Sequence, residues 1–357
     1  MSQVTIKGHS VREDWLNRRR EEVLDPDIPL IDAHHHLFQQ GAHRYLFDEL
    51  LADVSDGHDV RATVYIEVGA MSRADGDPML RPLGEFEFAN GIAAMSASGA
   101  YGTARLCAAI IAHADLRCGA AIGRLLDRYQ AASPERFRRL RQCGAFDPDP
   151  RITTLPAPPP PDLFRDPAFR EGFAEIAKRG LTFDSWLYHP QLSDLADLAR
   201  AFPDVQFIMD HMGGRLGIGD YARDPSAVTR QWERSVREVA ACPNVAVKVG
   251  GFAMRMMGFG FHERPEPPGS DELAAAWSPF FEVILDAFGW ERIVFESNFP
   301  VDKTSCSYRT LWNAFKRLTA DCPAHERAAM LGGNALRLYG LDRALLAPRN
   351  STEGLKT

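Results

Sequence analysis

This 357-residue sequence has no excess of basic side chains: 41 lysines and arginines stand against 48 aspartates and glutamates, a formal net charge of −7. Phosphate-backbone binding needs a basic surface, so no nucleic-acid partner is expected. No stretch approaches the ~18 consecutive apolar residues that cross a bilayer, which removes a membrane partner as well. The opening residues, MSQVTIKGHSVREDWLNRRREE, lack the apolar core of a secretory leader, and the expected location is the cytoplasm. Cysteine is sparse. Cys107, Cys118, Cys143, Cys242, Cys306 and Cys322 form neither a CxxC pair nor a zinc-finger spacing, so they read as reduced thiols without a role. What is present, 45% hydrophobic and 25% charged residues, is the composition of a globular chain whose partner is a small-molecule substrate.

Short β-rich apolar runs recur at 30–37, 61–68, 106–112, 137–143, 182–189, 206–211, 245–250 and 292–298, and the stretches between them are long enough for helices. In 166–179, for example, Phe169, Phe173, Ile176 and Ala177 fall at helical spacing. Alternating strand and helix gives a parallel sheet, and eight repeats predict an α/β chain closed as a single (β/α)8 TIM barrel with long βα loops. An open doubly wound sheet competes, but no GxGxxG follows the first strand. Residues 1–29 form an N-terminal extension with a helix expected over 12–24. Residues 30–341 form the barrel and 342–357 a frayed tail. The proline-rich run 156–161 cannot be helical and is expected as a stiff loop.

Where GxGxxG is missing, the first strand ends in His34-His35-His36. Residues two apart share a strand face, so His34 and His36 point together and His35 points away. Two neutral imidazoles on one face supply half of a tetrahedral metal site. His189 and His211 end two later predicted strands. A lone histidine at such a place is usually structural, but four from three strand ends converge on one mouth if the barrel closes.

The segments IDAHHH, DSWLYHPQ, DHMGG, FESNFPVDK and GGNALRLYGL, in that order across about residues 15–341, resemble the amidohydrolase superfamily, and within it the amidohydrolase-2 group of barrel hydrolases and lactonases. The resemblance implies His34, His36, His189 and His211 as the site's histidines. It implies a divalent metal there, zinc foremost, or none, since some lactonases of the group work without one. A homodimer is open to barrels of this kind.

One position departs from the pattern. Where the group carries GSDxP, whose aspartate is the general base, this sequence reads Glu296-Ser297-Asn298-Phe299-Pro300. A carboxamide neither accepts a proton nor matches carboxylate as a ligand. Glu296, on the same strand face as Asn298, is the expected replacement base, and Asp302 in the following loop is the other candidate; otherwise the chemistry has changed or catalysis is lost. Glu67, Arg141 and Lys248 lie in predicted strands, where a buried charge is costly unless paired. Arg141 is expected to clamp a substrate carboxylate, while Lys248 and Glu67 read equally as an internal ion network. Loop 251–264, rich in Gly, Met and Phe, is expected as a lid carrying Arg255 and His262 as substrate contacts.

These readings point to a hydrolase that opens a lactone or related cyclic ester of a small carboxylated molecule. A decarboxylase or hydratase of the same superfamily is the alternative, and a barrel that binds without turnover is the third.

Overall fold

The computed structural model describes residues 11–41, 43–152 and 158–348. Eight parallel strands follow one another around a barrel: β1 (Leu30–His35), β4 (Val60–Ile66), β5 (Arg105–His113), β6 (Phe137–Arg141), β7 (Thr182–Ser185), β8 (Phe207–Met209), β9 (Val245–Val249) and β10 (Ile293–Phe295). The numbering leaves room for β2 (Phe38–Gln40) and β3 (His43–Tyr45), an antiparallel hairpin after β1 that the sequence reading did not include. All eight predicted barrel strands are present. The ends of β8 and β10 come early, because left-handed backbone at His211 (φ 51°), Met212 (φ 52°) and Asn298 (φ 55°) breaks the ladder before those residues.

The seam between first and last strands is closed mostly beyond the ladder. Asn298 N–H donates to the His34 carbonyl (2.9 Å) and His36 N–H to that of Phe299 (2.8 Å). The Asp32 carboxylate adds a side-chain staple, accepting Ser297 N–H at 2.8 Å, the Tyr308 hydroxyl at 3.1 Å and His34 N–H at 3.2 Å.

Alternation along the strands sorts two apolar layers. Ile31, Ala62, Val64, Ile66, Ala109, Ile111, Ile208, Ala246 and Val294 pack together inside the barrel with Leu338 and Tyr339 of the last helix. The opposite faces meet the helices. The predicted helix is Pro167–Lys178, started by proline at its first position and by the Asp166 side chain accepting the Ala168 and Phe169 N–H groups. Its Phe173 ring lies 5.2 Å from Phe183 of β7 and 5.4 Å from Phe207 of β8. Each such buried ring contributes roughly 1.5–3 kcal/mol. No helix among the described residues is long and apolar enough to cross a membrane.

The expected helix over 12–24 is only Glu13–Leu16. The chain beyond it is held by side chains of helix Tyr308–Leu318 instead of by its own turns: Asn313 accepts Leu24 N–H at 2.9 Å, and Lys316 donates to the Leu24 and Asp25 carbonyls at 2.8 Å. Of the proline-rich run, Pro156 and Ala157 lie outside the described residues, and 158–160 are irregular. Residues 349–357 of the expected tail also lie outside, whereas Arg61 bonds the carbonyls of Leu345 and Ala347.

Loop 251–264 is built from separate turns, Arg255–Met257 and Phe261–Glu263, with Phe252, Met256, Met257 and Phe261 buried. It is tied at both ends. Asp302 accepts Ala253 N–H (3.1 Å) and Ser305 donates to the Ala253 carbonyl (2.8 Å). At the far end the buried Trp15 indole donates to the carbonyls of Arg264 and Pro265 (both 3.0 Å), and Arg12 donates to that of His262 (2.6 Å). The loop is a wall strapped by the N-terminal segment.

Two outcomes follow. Asp32→Ala strands three buried donors, so denaturant unfolding should show a loss of about 2–3 kcal/mol; a loss below ~0.5 kcal/mol contradicts the staple. Trp15→Ala should speed amide exchange across 255–266 by about 10-fold or more while the barrel strands stay protected. Unchanged exchange in that loop contradicts the strap.

Candidate active site

Three histidines meet at the barrel's C-terminal end. The pairing of β1 with β4 shifts register between Asp32 and His35, and beyond the shift the side chains separate as their spacing requires. His34 and His36 turn together, with ring centroids 4.7 Å apart. His35 turns to the other side, its Nε2 2.8 Å from the Thr63 hydroxyl and its ring 5.9 Å from Tyr65. His211 arrives from the left-handed turn after β8, its ring 4.6 Å from that of His34.

Glu296 binds two of them. Its carboxylate oxygens lie 2.8 Å from His34 Nδ1 and 2.6 Å from His211 Nδ1, and the second oxygen also accepts His211 N–H at 3.1 Å. The side chain is fully buried. Its space comes from two glycines on the neighbouring strand's end: a Cβ on Gly250 would stand 2.3 Å from Glu296 Cγ, and one on Gly251 2.7 Å from His211 Cβ. Neither approach is sterically permitted, so Gly250-Gly251 is the condition for the carboxylate and the imidazole to sit there.

These partners fix the tautomers. His36 Nδ1 faces the Ile66 carbonyl at 2.9 Å and must donate to it, leaving a lone pair on Nε2. At His34 Nδ1 two groups compete, Glu296 at 2.8 Å and the Lys248 ammonium at 3.2 Å. That Glu296 oxygen lacks hydrogen-bonding geometry, whereas Lys248 meets Nδ1 with the third N–H of an ammonium that also reaches Asp184 (2.7 Å) and Asp210 (2.9 Å), so Nδ1 accepts and the His34 proton lies on Nε2. The two Nε2 atoms face each other at 3.1 Å. Burial holds both rings neutral, with pKa values well below the usual imidazole range; the nearby cations act in the same direction, Lys248 first for His34 and Arg141 for His36. His34 Nε2–H donates to His36 Nε2, and an entering divalent ion would take both lone pairs once that proton moves to Nδ1, 2.8 Å from the Glu296 oxygen, so this donor set fits such an ion. One ligand atom each from His34, Asp210 and His211 also lies within 4.8 Å of the others.

Below the histidines runs a buried ion network. Arg141 donates through Nε to Glu67 (2.7 Å), through Nη2 to the Glu67 carbonyl and through Nη1 to Asp210 (3.3 Å). Lys248 bridges Asp210 and Asp184, and Arg139 reaches Asp184 at 3.4 Å. Burial works against the Lys248 charge, but Asp184 and Asp210 outweigh it and hold its pKa well above the usual lysine value. Burial likewise opposes ionisation of Asp210, yet Lys248 and Arg141 bring its pKa below the usual carboxylate value.

The remaining expected site residues have other local partners. β7 stops at Ser185, so His189 sits in the turn His189–Gln191, accepting Leu216 N–H at 3.3 Å beside the Tyr221 ring. Asn298, expected to share a face with Glu296, is turned aside by its left-handed backbone and donates to Asp302 at 2.9 Å. Asp302 spends its other oxygen on loop 251–264, and burial pushes its carboxyl well above the usual range. Arg255 is exposed, and the His262 ring lies 3.5 Å from Glu263. Asp184 and Asp210 were missed. The available signal was an acidic residue inside an apolar strand run, which burial forces to find a cation.

Comparison with known proteins agrees with this architecture. The family described as Amidohydrolase matches residues 31–341. An uncharacterized protein of Sinorhizobium fredii is 31% identical over 335 residues, covering 88% of this chain and 99% of that one. An L-fucono-1,5-lactonase of Burkholderia multivorans is 28% identical over 177 residues, 49% of this chain and 57% of the lactonase. Among solved structures, an amidohydrolase from Burkholderia multivorans with bound zinc superposes with a TM-score of 0.67 at 22% identity, covering 88% of this chain and 99% of its own. That likeness is one of fold, and the family match extends it to sequence over nearly the whole barrel: the chain belongs to the amidohydrolase family.

Proposed function

We propose that this chain hydrolyses a lactone or related cyclic ester of a small molecule. The observation that carries the reading is the Glu296 carboxylate hydrogen-bonded to Nδ1 of His211, with its other oxygen 2.8 Å from Nδ1 of His34. A carboxylate at Nδ1 fixes the tautomer of an imidazole and raises the basicity of its Nε2. His211 Nε2 takes a proton from water as the water oxygen attacks the ester carbonyl. The acyl–oxygen bond of the ring then breaks, the same imidazole returns the proton to the departing ring oxygen, and the product is the open hydroxy acid.

Glu296 is wholly buried with one oxygen engaged by the His211 ring and backbone, so it acts through that imidazole as a positioning residue. Asp302 is committed to Asn298 and to loop 251–264, which removes it as the base. His34 and His36 would hold a divalent ion through Nε2, with Asp210 and His211 adjoining. When bound, that ion polarises the ester carbonyl as a Lewis acid. The bound zinc of the structural relative and the lactonase name of the sequence relative support this assignment.

On a panel of lactones followed by acid release, Glu296→Gln should lower turnover ~100-fold or more with the unfolding midpoint little changed. Gly250→Ala, which drives a methyl into the Glu296 side chain, should move turnover in the same direction. Unchanged turnover in Glu296→Gln contradicts the role, and release of carbon dioxide in place of acid replaces the hydrolase reading with the lyase one. Elemental analysis after zinc loading and desalting should give about one equivalent in the native chain, and well under half in a variant carrying His34→Ala and His36→Ala. Equal zinc in both contradicts the assigned ligands.

A further inference from the structure

Arg141, Asp184, Asp210, Lys248 and Glu296, charged side chains at the mouth ends of the barrel strands, are all buried and all partnered inside the protein. A titratable side chain on the neighbouring strand differs. His113 is the last residue of β5. Ala109 and Ile111 of that strand pack inside the barrel, so His113, next in the same alternation, faces the mouth. It stands in register with Arg141 of β6. Its side chain is 32% exposed, against 7% for Arg141 and 9% for Glu67 beside it. His113 is therefore the part of this cluster that a bound molecule can touch.

The ring is also held in place. The Tyr129 hydroxyl donates to the His113 carbonyl at 2.8 Å, and Glu67 N–H donates to the Ile111 carbonyl at 3.0 Å. Arg141 takes one Glu67 carboxylate oxygen at 2.7 Å, and the other stands 3.7 Å from His113 Nδ1, where the attraction is Coulombic. Glu67 is fixed from its other side by a clasp. The next three backbone N–H groups, of Val68, Gly69 and Ala70, donate to the buried Glu85 carboxylate at 2.7, 3.2 and 3.2 Å. The Tyr65 hydroxyl adds a fourth bond at 2.8 Å. A carboxylate fixed on the Nδ1 side leaves Nε2 as the nitrogen free for a ligand. The histidine group is close by, since His36 Nδ1 faces the carbonyl of Ile66, the residue before Glu67.

We propose, resting on the hydrolase reading above, that His113 is a further substrate-binding residue whose Nε2 hydrogen-bonds a polar substituent of the ring. β5 lies three strands around the barrel from β8, which leads into His211. A ring gripped at His113 while its ester lies against the histidine group is held at two points, and that sets which face of the carbonyl meets the attacking water. Glu67 and Glu85 act through His113 as positioning residues.

The test uses the full chain loaded with zinc and the lactone of the panel that it opens fastest. His113→Phe keeps a ring and removes both nitrogens. It should raise KM about 5- to 10-fold, the scale of one lost hydrogen bond, with kcat changed less than about 2-fold. His113→Gln returns a hydrogen-bonding group at about the reach of Nε2 and should recover most of the loss. In nitrogen-15 NMR of histidine-labelled protein, the hydroxy acid product should shift the His113 ring signals and leave those of His35, which turns away from the mouth, in place. An unchanged KM in His113→Phe, or His113 signals that the product does not move, overturns this inference, while turnover by the native chain keeps the hydrolase reading. Turnover of no lactone by folded, zinc-loaded protein overturns the hydrolase reading and the inference together.

Discussion

Burying one carboxylate between two imidazoles constrains almost everything else at this barrel's mouth. Glu296 is fully removed from water, a position that costs several kcal/mol for a charged group unless hydrogen bonds replace its hydration. Here the replacements are His211 Nδ1 and the His211 backbone N–H, both to one oxygen, with His34 Nδ1 2.8 Å from the other. To receive them His211 adopts left-handed backbone (φ 51°), a conformation that costs of order 1–3 kcal/mol in a residue other than glycine and persists only where its surroundings enforce it. Gly250 and Gly251 are part of that enforcement, because any side chain at either position would occupy the space of Glu296 or His211. Removing the carboxylate would leave the His211 ring nitrogen and backbone N–H without an acceptor and a strained turn without its reason.

The ion network beneath solves a related problem. Asp184, Asp210 and Glu67 are buried in a region that cannot solvate them, and Lys248, Arg139 and Arg141 pair with them in an unbroken chain. Buried pairs of this kind contribute little to stability against an apolar alternative. Their effect is to hold Asp210 ionised beside His34, and their positive charge adds to burial, the larger cause, in keeping His34 and His36 neutral. Loop 251–264 closes the arrangement from outside. Asp302 fixes its start, close to the glycines that shape the site, and Trp15 fixes its end.

Much of the fold was legible because strand periodicity and strand–helix alternation report directly on burial: all eight barrel strands lie where apolar runs placed them. The inward pair His34 and His36 was legible for the same reason, since i, i+2 spacing sets a common face. Strand ends were less so. Runs such as 182–189 and 206–211 stay apolar after the ladder has stopped, because the loops beyond are buried too, and His189 lies past the end of β7, in the turn His189–Gln191. The alternation argument for Glu296 and Asn298 failed at Asn298 alone, where left-handed backbone turns the amide towards Asp302. Arg141 looked like a free clamp because its partners, Glu67 and Asp210, come from strands 74 and 69 residues distant in sequence. Long-range charge pairing leaves little local trace.

The central claim is that Glu296 holds His211 with the proton on Nδ1 and the lone pair on Nε2. Nitrogen-15 NMR of histidine-labelled protein reads the tautomer of each ring directly, with assignments made from single histidine variants. The account predicts the Nδ1–H tautomer for His211 in the native chain and its release into the Nε2–H form or a mixture in Glu296→Leu. An Nε2–H tautomer for His211 in the native chain would contradict it.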